Sequence, residues 1–326
     1  MDFFSKDFSV IIQGPIVGKK SDPAENQQTQ QCIDSIRRQL PDAEIIISTW
    51  KGEETDHLVA DKIVFNEDPG AVTYNDFELK NTYNNNNRQI VSTFAGLQQA
   101  SRKYSIKMRA DLRLESTNFF GSLGKYTEVN RFRFLKQRIL VSTYFSRNPE
   151  KLPLLYHISD LFQIGLTEDL LALWGIPLQP EPETTRAFPY STKIANDPFR
   201  HNRYKMRYAS EQYIWFAFCK KMELDLSLNY FSEVPVKLIE PATTSIIDNF
   251  TILSPEQIGM SLPQRLIHGE KKLYTFKEWL SLYNNLSVKK SKWRGLQLVL
   301  KVKLVSANYT FKNFTKDLKQ YFKFKK

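Results

Sequence analysis

The chain has little of what usually announces a protein's chemistry. Its 326 residues include two cysteines, Cys32 and Cys219, far apart and without a CxxC partner. That argues against a disulfide framework or a thiolate zinc site and reads as two buried thiols in a reducing compartment. The four histidines, His57, His157, His201 and His268, show no metal-ligand spacing. Glycine is scarce, and no G-x-G-x-x-G follows the first strand and no G-x-x-x-x-G-K-[ST] occurs anywhere, so neither a dinucleotide fingerprint nor a P-loop is present. No uncharged apolar run approaches the roughly 20 residues that cross a bilayer. The first residues, Met1 to Asp7, are acidic where a secretory leader is basic, and the expectation is a cytoplasmic chain.

What is present alternates. Phe8-Ser-Val-Ile-Ile-Gln reads as a buried strand ended by Gly14-Pro15, and a helix follows from about Thr29 to Leu40 with Cys32, Ile33 and Ile36 inward. Ala43 to Trp50 and Lys62 to Phe65 are two more strands, the last closed by Asp68-Pro69-Gly70. Ile90, Val91, Phe94 and Leu97 lie on one face of a second helix, preceded by the capping-type run Asn84 to Asn87, and Tyr104-Ser-Ile-Lys-Met is a fourth strand. Strands separated by helices predict an α/β fold with a mostly parallel sheet and right-handed crossovers. The composition, 41% hydrophobic and 13% aromatic, is enough for a sizeable core.

The second helix and fourth strand suggest a site. A helix N-terminus leaves backbone N–H groups unpaired and carries positive potential, so it favours an anion, and Arg88 in the first turn adds a full charge. Asp111 falls just beyond the carboxyl end of the strand, the edge at which open α/β sheets bind ligands. A plain cap and a surface ion-pair cluster of Asp111 with its arginines are the competing readings.

Charge is unevenly placed. The net +11 lies in the C-terminal segment 289–326, which holds twelve Lys or Arg and one acid, Asp317, so the rest of the chain is neutral. The cations are interleaved with Trp293, Leu296, Leu300, Leu304, Tyr309, Phe311, Phe314, Tyr321 and Phe322. That mixture suits an anionic membrane surface, where aromatic rings settle at headgroup level. Nucleic acid is not expected as partner, because the body that would carry a groove is neutral.

The motifs VIIQGPI, EIIISTWKG, the DPG turn, NNNNRQIVST and RADLRL together resemble the WavE-type lipopolysaccharide-synthesis family, whose members are treated as glycosyltransferases of the GT-A type. The resemblance is strong over residues 8 to 115, weaker through HISDLFQIG and SEQYIW, and fades in the tail. It implies a GT-A-like, Rossmann-like sheet that holds the diphosphate of a nucleotide sugar. By analogy Gln13, Gly14 and Pro15 would line the base and ribose, with Ser48, Thr49 and Trp50 close by; Trp50 serves equally as a packing residue. Asn87 and Arg88 would face the donor, and Arg109 and Asp111 would sit at the diphosphate. Where the GT-A pattern has Asp-x-Asp, this chain has Arg109-Ala-Asp111 followed by Leu112-Arg113. One carboxylate is a poor cage for Mg²⁺ or Mn²⁺, although two arginines can meet a diphosphate through forked hydrogen bonds. The expectation is therefore a weak metal requirement or none, with Asp111 the one candidate ligand.

Catalysis and acceptor binding are expected in the second half. An inverting transferase needs a base for the acceptor hydroxyl. Glu211, in the first turn of a helix that Ser210 would cap, ranks first because the base of inverting GT-A enzymes often occupies such a place; its alternative is a helix-dipole acid. Asp160, in an apolar, strand-like run, ranks second, since burying a bare acid is costly. The triplet Thr167-Glu168-Asp169 reads as a helix start. His157, Ser159 and Arg203 are the acceptor-side candidates. Arg203 lies in a proline-rich, basic stretch from Pro177 to Arg207, longer than an ordinary loop and read as a functional insert or lid.

These readings divide the chain into a donor half (1–115), an acceptor and catalytic half of the same domain (116–285) and a basic aromatic tail (286–326). They describe a transferase at the cytoplasmic face of the inner membrane of a bacterium, using a nucleotide-sugar donor and a lipid-linked or core-oligosaccharide acceptor. A sugar nucleotidyltransferase on the same sheet and a non-enzymatic adaptor using the tail stand as alternatives.

Overall fold

The computed structural model describes residues 3–75, 81–180, 207–266, 272–287 and 292–324. Its centre is a seven-stranded sheet built from β1 (Phe8–Gln13), β2 (Glu44–Trp50), β3 (Lys62–Asn66), β6 (Tyr104–Arg109), β8 (Ile139–Ser142), β9 (Phe162–Leu166) and β10 (Phe250–Leu253). The spatial order is β10-β8-β9-β6-β1-β2-β3. All neighbours are parallel except β9, which runs antiparallel to both β6 and β8. The α/β, Rossmann-like and mostly parallel sheet expected from the sequence is the sheet this chain forms. Two short antiparallel pairs stand beside it, β4 (Val72–Asn75) with β5 (Asn81–Asn84) and β7 (Arg113–Leu114) with β11 (Met260–Ser261).

The central strands are buried along their whole length, which is why β1 and β2 read as continuous apolar runs. Their side chains still alternate between faces. Phe8, Val10 and Ile12 join one core cluster with α1 (Gln28–Gln39), while Ile11 joins the other with α2 (Asn86–Gln98), α3 (Thr167–Trp174), α4 (Ser210–Lys221) and α5 (Val236–Asn249). In β6, Tyr104, Ile106 and Met108 take the first face, and the polar set Ser105, Lys107 and Arg109 the second. Helix α2 lies close on the sheet: a Cβ on Gly96 would stand 2.6 Å from Ile11 Cγ2 and 3.0 Å from Ser48 Cβ.

Among the described residues, two longer helices follow α6 (Pro255–Ile258): α7 (Phe276–Ser287) and α8 (Lys292–Phe324). Residue 285, expected to end the body, lies inside α7, and α8 returns to the body beside α5, with Val302 fully buried and Leu298 and Val299 packed on the core. The two cysteines are free and buried, and burial pushes both thiols up. Among the described residues no helix is long and apolar enough to cross a membrane.

Candidate active site

The site forms where β1, β2 and β6 end together. In register, Gln13 lies beside Ser48 on one side and Arg109 on the other. The chain then leaves β1 through Gly14, whose φ of +109° suits glycine and whose N–H donates to the Ser48 carbonyl at 3.1 Å. A cavity of about 440 Å³ opens at this edge. Gln13, Gly14, Pro15 and Trp50 line it from the first two strands, Arg88 from the start of α2, and Arg109 and Asp111 from the end of β6.

Both arginines are held by carboxylates. Arg88 forks onto Asp68 through Nε (2.7 Å) and Nη2 (2.6 Å), and Nη1 donates to Asn85 Oδ1 at 2.9 Å. The Arg88 guanidinium holds the Asp68 carboxyl below its usual range. Arg109 forks onto both oxygens of Asp111 at 3.0 Å each. Burial opposes the Arg109 charge, yet the bonded carboxylate more than restores it, and its pKa is raised.

Arg109 is also the link to a second, drier cluster. Lys107 is fully buried two residues earlier, its ammonium over the Trp174 ring at 4.7 Å and bonded to the Asp160 carbonyl; burial lowers its pKa to about 8. Glu211 sits in the first turn of α4 with 18% of its side chain exposed, and its Oε2 is 3.6 Å from His157 Nε2. Burial first, and the neighbouring Asp160 second, push Glu211 up to about 7, with Arg147 and Arg109 pulling the other way. Burial and then Arg147 push His157 down to about 3, so the ring is neutral. Its Nδ1 is 2.9 Å from the Phe145 carbonyl, which fixes the proton there and leaves Nε2 as an acceptor toward Glu211. A carboxylic acid poised near neutrality beside a fixed imidazole and cations is suited to taking up a proton.

Several expected residues have other work. Ser48 and Thr49 are buried in β2 and do not line the cavity; Ser48 Oγ accepts from Asn66 Nδ2 at 3.0 Å. Asn87 faces away from it: its Oδ1 accepts from Gln179 N at 2.7 Å and its Nδ2 donates to Gln179 O at 3.2 Å. The asparagine run is thus a latch on Gln179, which Asn86 also reaches at 3.3 Å. It also caps α2 as expected, though from one residue further back: Asn84 Oδ1 accepts from the Asn86 N–H at 2.7 Å, while the N-cap residue Asn85 makes no side-chain cap bond. Ser159 is fully buried, its N–H on Ser146 Oγ at 3.1 Å and its carbonyl accepting from Gln163 at 3.0 Å. Asp160 precedes β9 and does not lie within it. Ser210 is the first residue of α4, whose N-cap is Ala209, and its hydroxyl bonds Asn84 Oδ1 at 3.0 Å. Thr167-Glu168-Asp169 does open α3, and Asp169 accepts from the backbone of Lys136 and Gln137, both at 2.8 Å. Arg203 and most of the expected insert lie outside the described residues.

Sequence reasoning passed over Asp68, Asn85 and Gln89, which line the cavity, and Lys107 and Arg147 in the drier cluster. For Lys107 the signal was there, a lysine within an alternating buried strand. Both Asp111 oxygens accept from Arg109, so a cation at this carboxylate has to compete with a guanidinium already in place. Among the described residues the one trio of ligand-type side chains is Glu54, Asp56 and His57, none of which lines the cavity.

The family model described as WavE lipopolysaccharide synthesis matches residues 8–308, well into the helix where the sequence resemblance was expected to fade. No curated protein matches. Among solved structures, S. aureus TarS 1-349 is 12% identical over 97% of this chain and 91% of that chain, with a TM-score of 0.32. The 4-diphosphocytidyl-2C-methyl-D-erythritol synthase of Anaerococcus prevotii DSM 20548 is 12% identical over 52% of this chain and 76% of that chain, with a TM-score of 0.31.

Proposed function

The chain belongs to the WavE lipopolysaccharide-synthesis family, and from that premise we propose that it is an inverting, GT-A-like glycosyltransferase using a nucleoside-diphosphate sugar. The acceptor is a lipopolysaccharide core or a related surface glycan of a bacterium, met at the cytoplasmic face of the inner membrane, where the basic tail holds the enzyme. The observation that carries the reading is that Arg88 and Arg109 with Asp111 line one and the same cavity at the carboxyl edge of the sheet.

A diphosphate entering that cavity meets two guanidiniums already oriented by Asp68 and Asp111, and it competes with those carboxylates for their N–H groups. Fixed donors of this kind stabilise charge as it develops on the departing nucleoside diphosphate. Trp50 and Pro15 offer flat apolar surface to the base. Glu211 takes the proton from the attacking hydroxyl; Asp160 raises its basicity, and the His157 Nε2 lone pair, 3.6 Å away, faces the carboxyl that results. The arginines supply the positive charge a metal would otherwise bring, so the metal requirement is weak or nil.

Thermal shift with UDP, GDP, CDP, ADP and CMP, with and without Mn²⁺, tests the reading, because a ligand that binds the native state raises its melting temperature. One nucleoside diphosphate is expected to stabilise the protein without metal and to appear as product on turnover. Pyrophosphate as product would instead mark a nucleotidyltransferase, and no nucleotide response an adaptor.

A further inference from the structure

Helix α8 carries two apolar faces, and the body covers one of them. Successive helical residues turn by about 100°, so Val302 projects roughly opposite to Leu300 and Leu304. Val302 is fully buried, with Leu298 and Val299 beside it on the core. On the other side Leu296, Leu300, Leu304 and Phe311 are 51%, 55%, 66% and 66% exposed. Their spacing of four, four and seven residues makes one stripe, and the same spacing continues in the sequence to Leu318 and Phe322. Lys301 is paired with Glu150, and Lys303 donates to the Val234 carbonyl at 3.1 Å, so the helix is anchored with this stripe outward.

The charge on the helix selects what the stripe meets. Along α8 the sequence has Lys292, Arg294, Lys301, Lys303, Lys312, Lys316, Lys319 and Lys323 against one acid, Asp317. A second copy laid along it would bring like charges together, which opposes self-association. Nucleic acid would use the cations and leave the leucines in water. An anionic bilayer surface accepts both, the leucines and phenylalanine below the headgroups and the cations among them. We infer that α8 is an in-plane membrane anchor: the stripe from Leu296 to Phe311 inserts into an anionic lipid surface while the opposite face stays packed on the body. This deepens the reading of a membrane-surface enzyme, and it stands on the helix, not on the donor site.

Flotation of the full-length protein with vesicles tests it, comparing phosphatidylcholine alone with phosphatidylcholine containing phosphatidylglycerol. Wild type should float with the anionic vesicles and be released by salt, as screening requires. The pair Leu300→Gln and Leu304→Gln keeps every charge and should weaken partition about tenfold or more, with the melting temperature unchanged because both side chains lie in water. Equal flotation with neutral vesicles, or flotation indifferent to both substitutions, overturns the inference. So does a wild-type dimer in solution that the double variant converts to monomer. A chain that floats as described but shows no nucleotide-dependent thermal shift would leave the anchor standing and remove the transferase reading.

Discussion

At the scale of single residues, the site depends on what surrounds its ionisable groups. Glu211 is a carboxyl that burial and Asp160 hold near neutrality, so its base form fills as pH rises through about 7. Turnover at subsaturating substrate should climb along that limb and level off above it. Glu211→Gln should lower turnover by about 10² to 10⁴, the usual worth of a general base, with nucleoside-diphosphate binding kept. The linkage sign follows from the same shift. A carboxyl raised from 4.5 to about 7 in the fold binds more protons there than in the unfolded chain, so its contribution to stability is complete below pH 4.5 and is lost as pH rises to about 7. Urea melts across that range should show a flatter pH dependence in the Gln variant. An unchanged pH–rate limb in that variant would remove Glu211 from the base role. Arg88 belongs to the same scale. Its fork on Asp68 is more than a third exposed and counts little for stability, so Arg88→Ala should leave the melting temperature nearly unchanged while weakening nucleoside-diphosphate binding about tenfold or more, measured by calorimetry.

At the scale of elements, legibility followed periodicity. The buried strands Phe8–Gln13 and Glu44–Trp50 and the stripe Ile90 to Leu97 appear in the sequence as runs and faces, and they fold as such. The carboxyl edge followed, because it depends only on where strands end. Residues whose partners lie far along the chain were hidden: Asn87 is fixed by Gln179, a pairing that leaves no local pattern, whereas the Arg109–Asp111 pair, two residues apart, was open to the sequence as an ion-pair reading. Asp68 was read as a turn residue because Asp-Pro-Gly is a turn, and only the fold shows it across from Arg88. Gly96 is the element-scale test of the packing. Gly96→Ala should gain helix propensity yet lose more to the clash with Ile11 and Ser48, for a net destabilisation of about 1–3 kcal/mol by chemical denaturation. Because Ser48 lies beside Gln13 in the sheet, the same variant should also weaken nucleotide binding.

At the scale of the whole molecule, the proposed donor half (1–115) and the proposed acceptor and catalytic half (116–285) share one sheet and one core. The sheet crosses the boundary between them, since β6 of the first half pairs with β9 of the second. The core crosses it as well, because Ile11, Ile90 and Leu97 share a cluster with Trp174, Trp215 and Trp279, and Val302 brings α8 into the same cluster. Elements joined by a continuous ladder and one apolar core lose their support together. Equilibrium unfolding in urea should therefore give a single transition, with tryptophan fluorescence and far-ultraviolet circular dichroism coinciding, although Trp50 reports on the donor half and Trp215 and Trp279 on the other. Val302→Ala, which hollows the shared core from α8, should move that one midpoint to lower urea for both probes, by roughly 1.5–3 kcal/mol for the two lost methyl groups and the cavity they leave. Two separated transitions, with only one of them responding to Val302→Ala, would mean that donor and catalytic halves fold apart, and the coupling between Arg109 in the cavity and Glu211 beside His157 would then need a different structural basis.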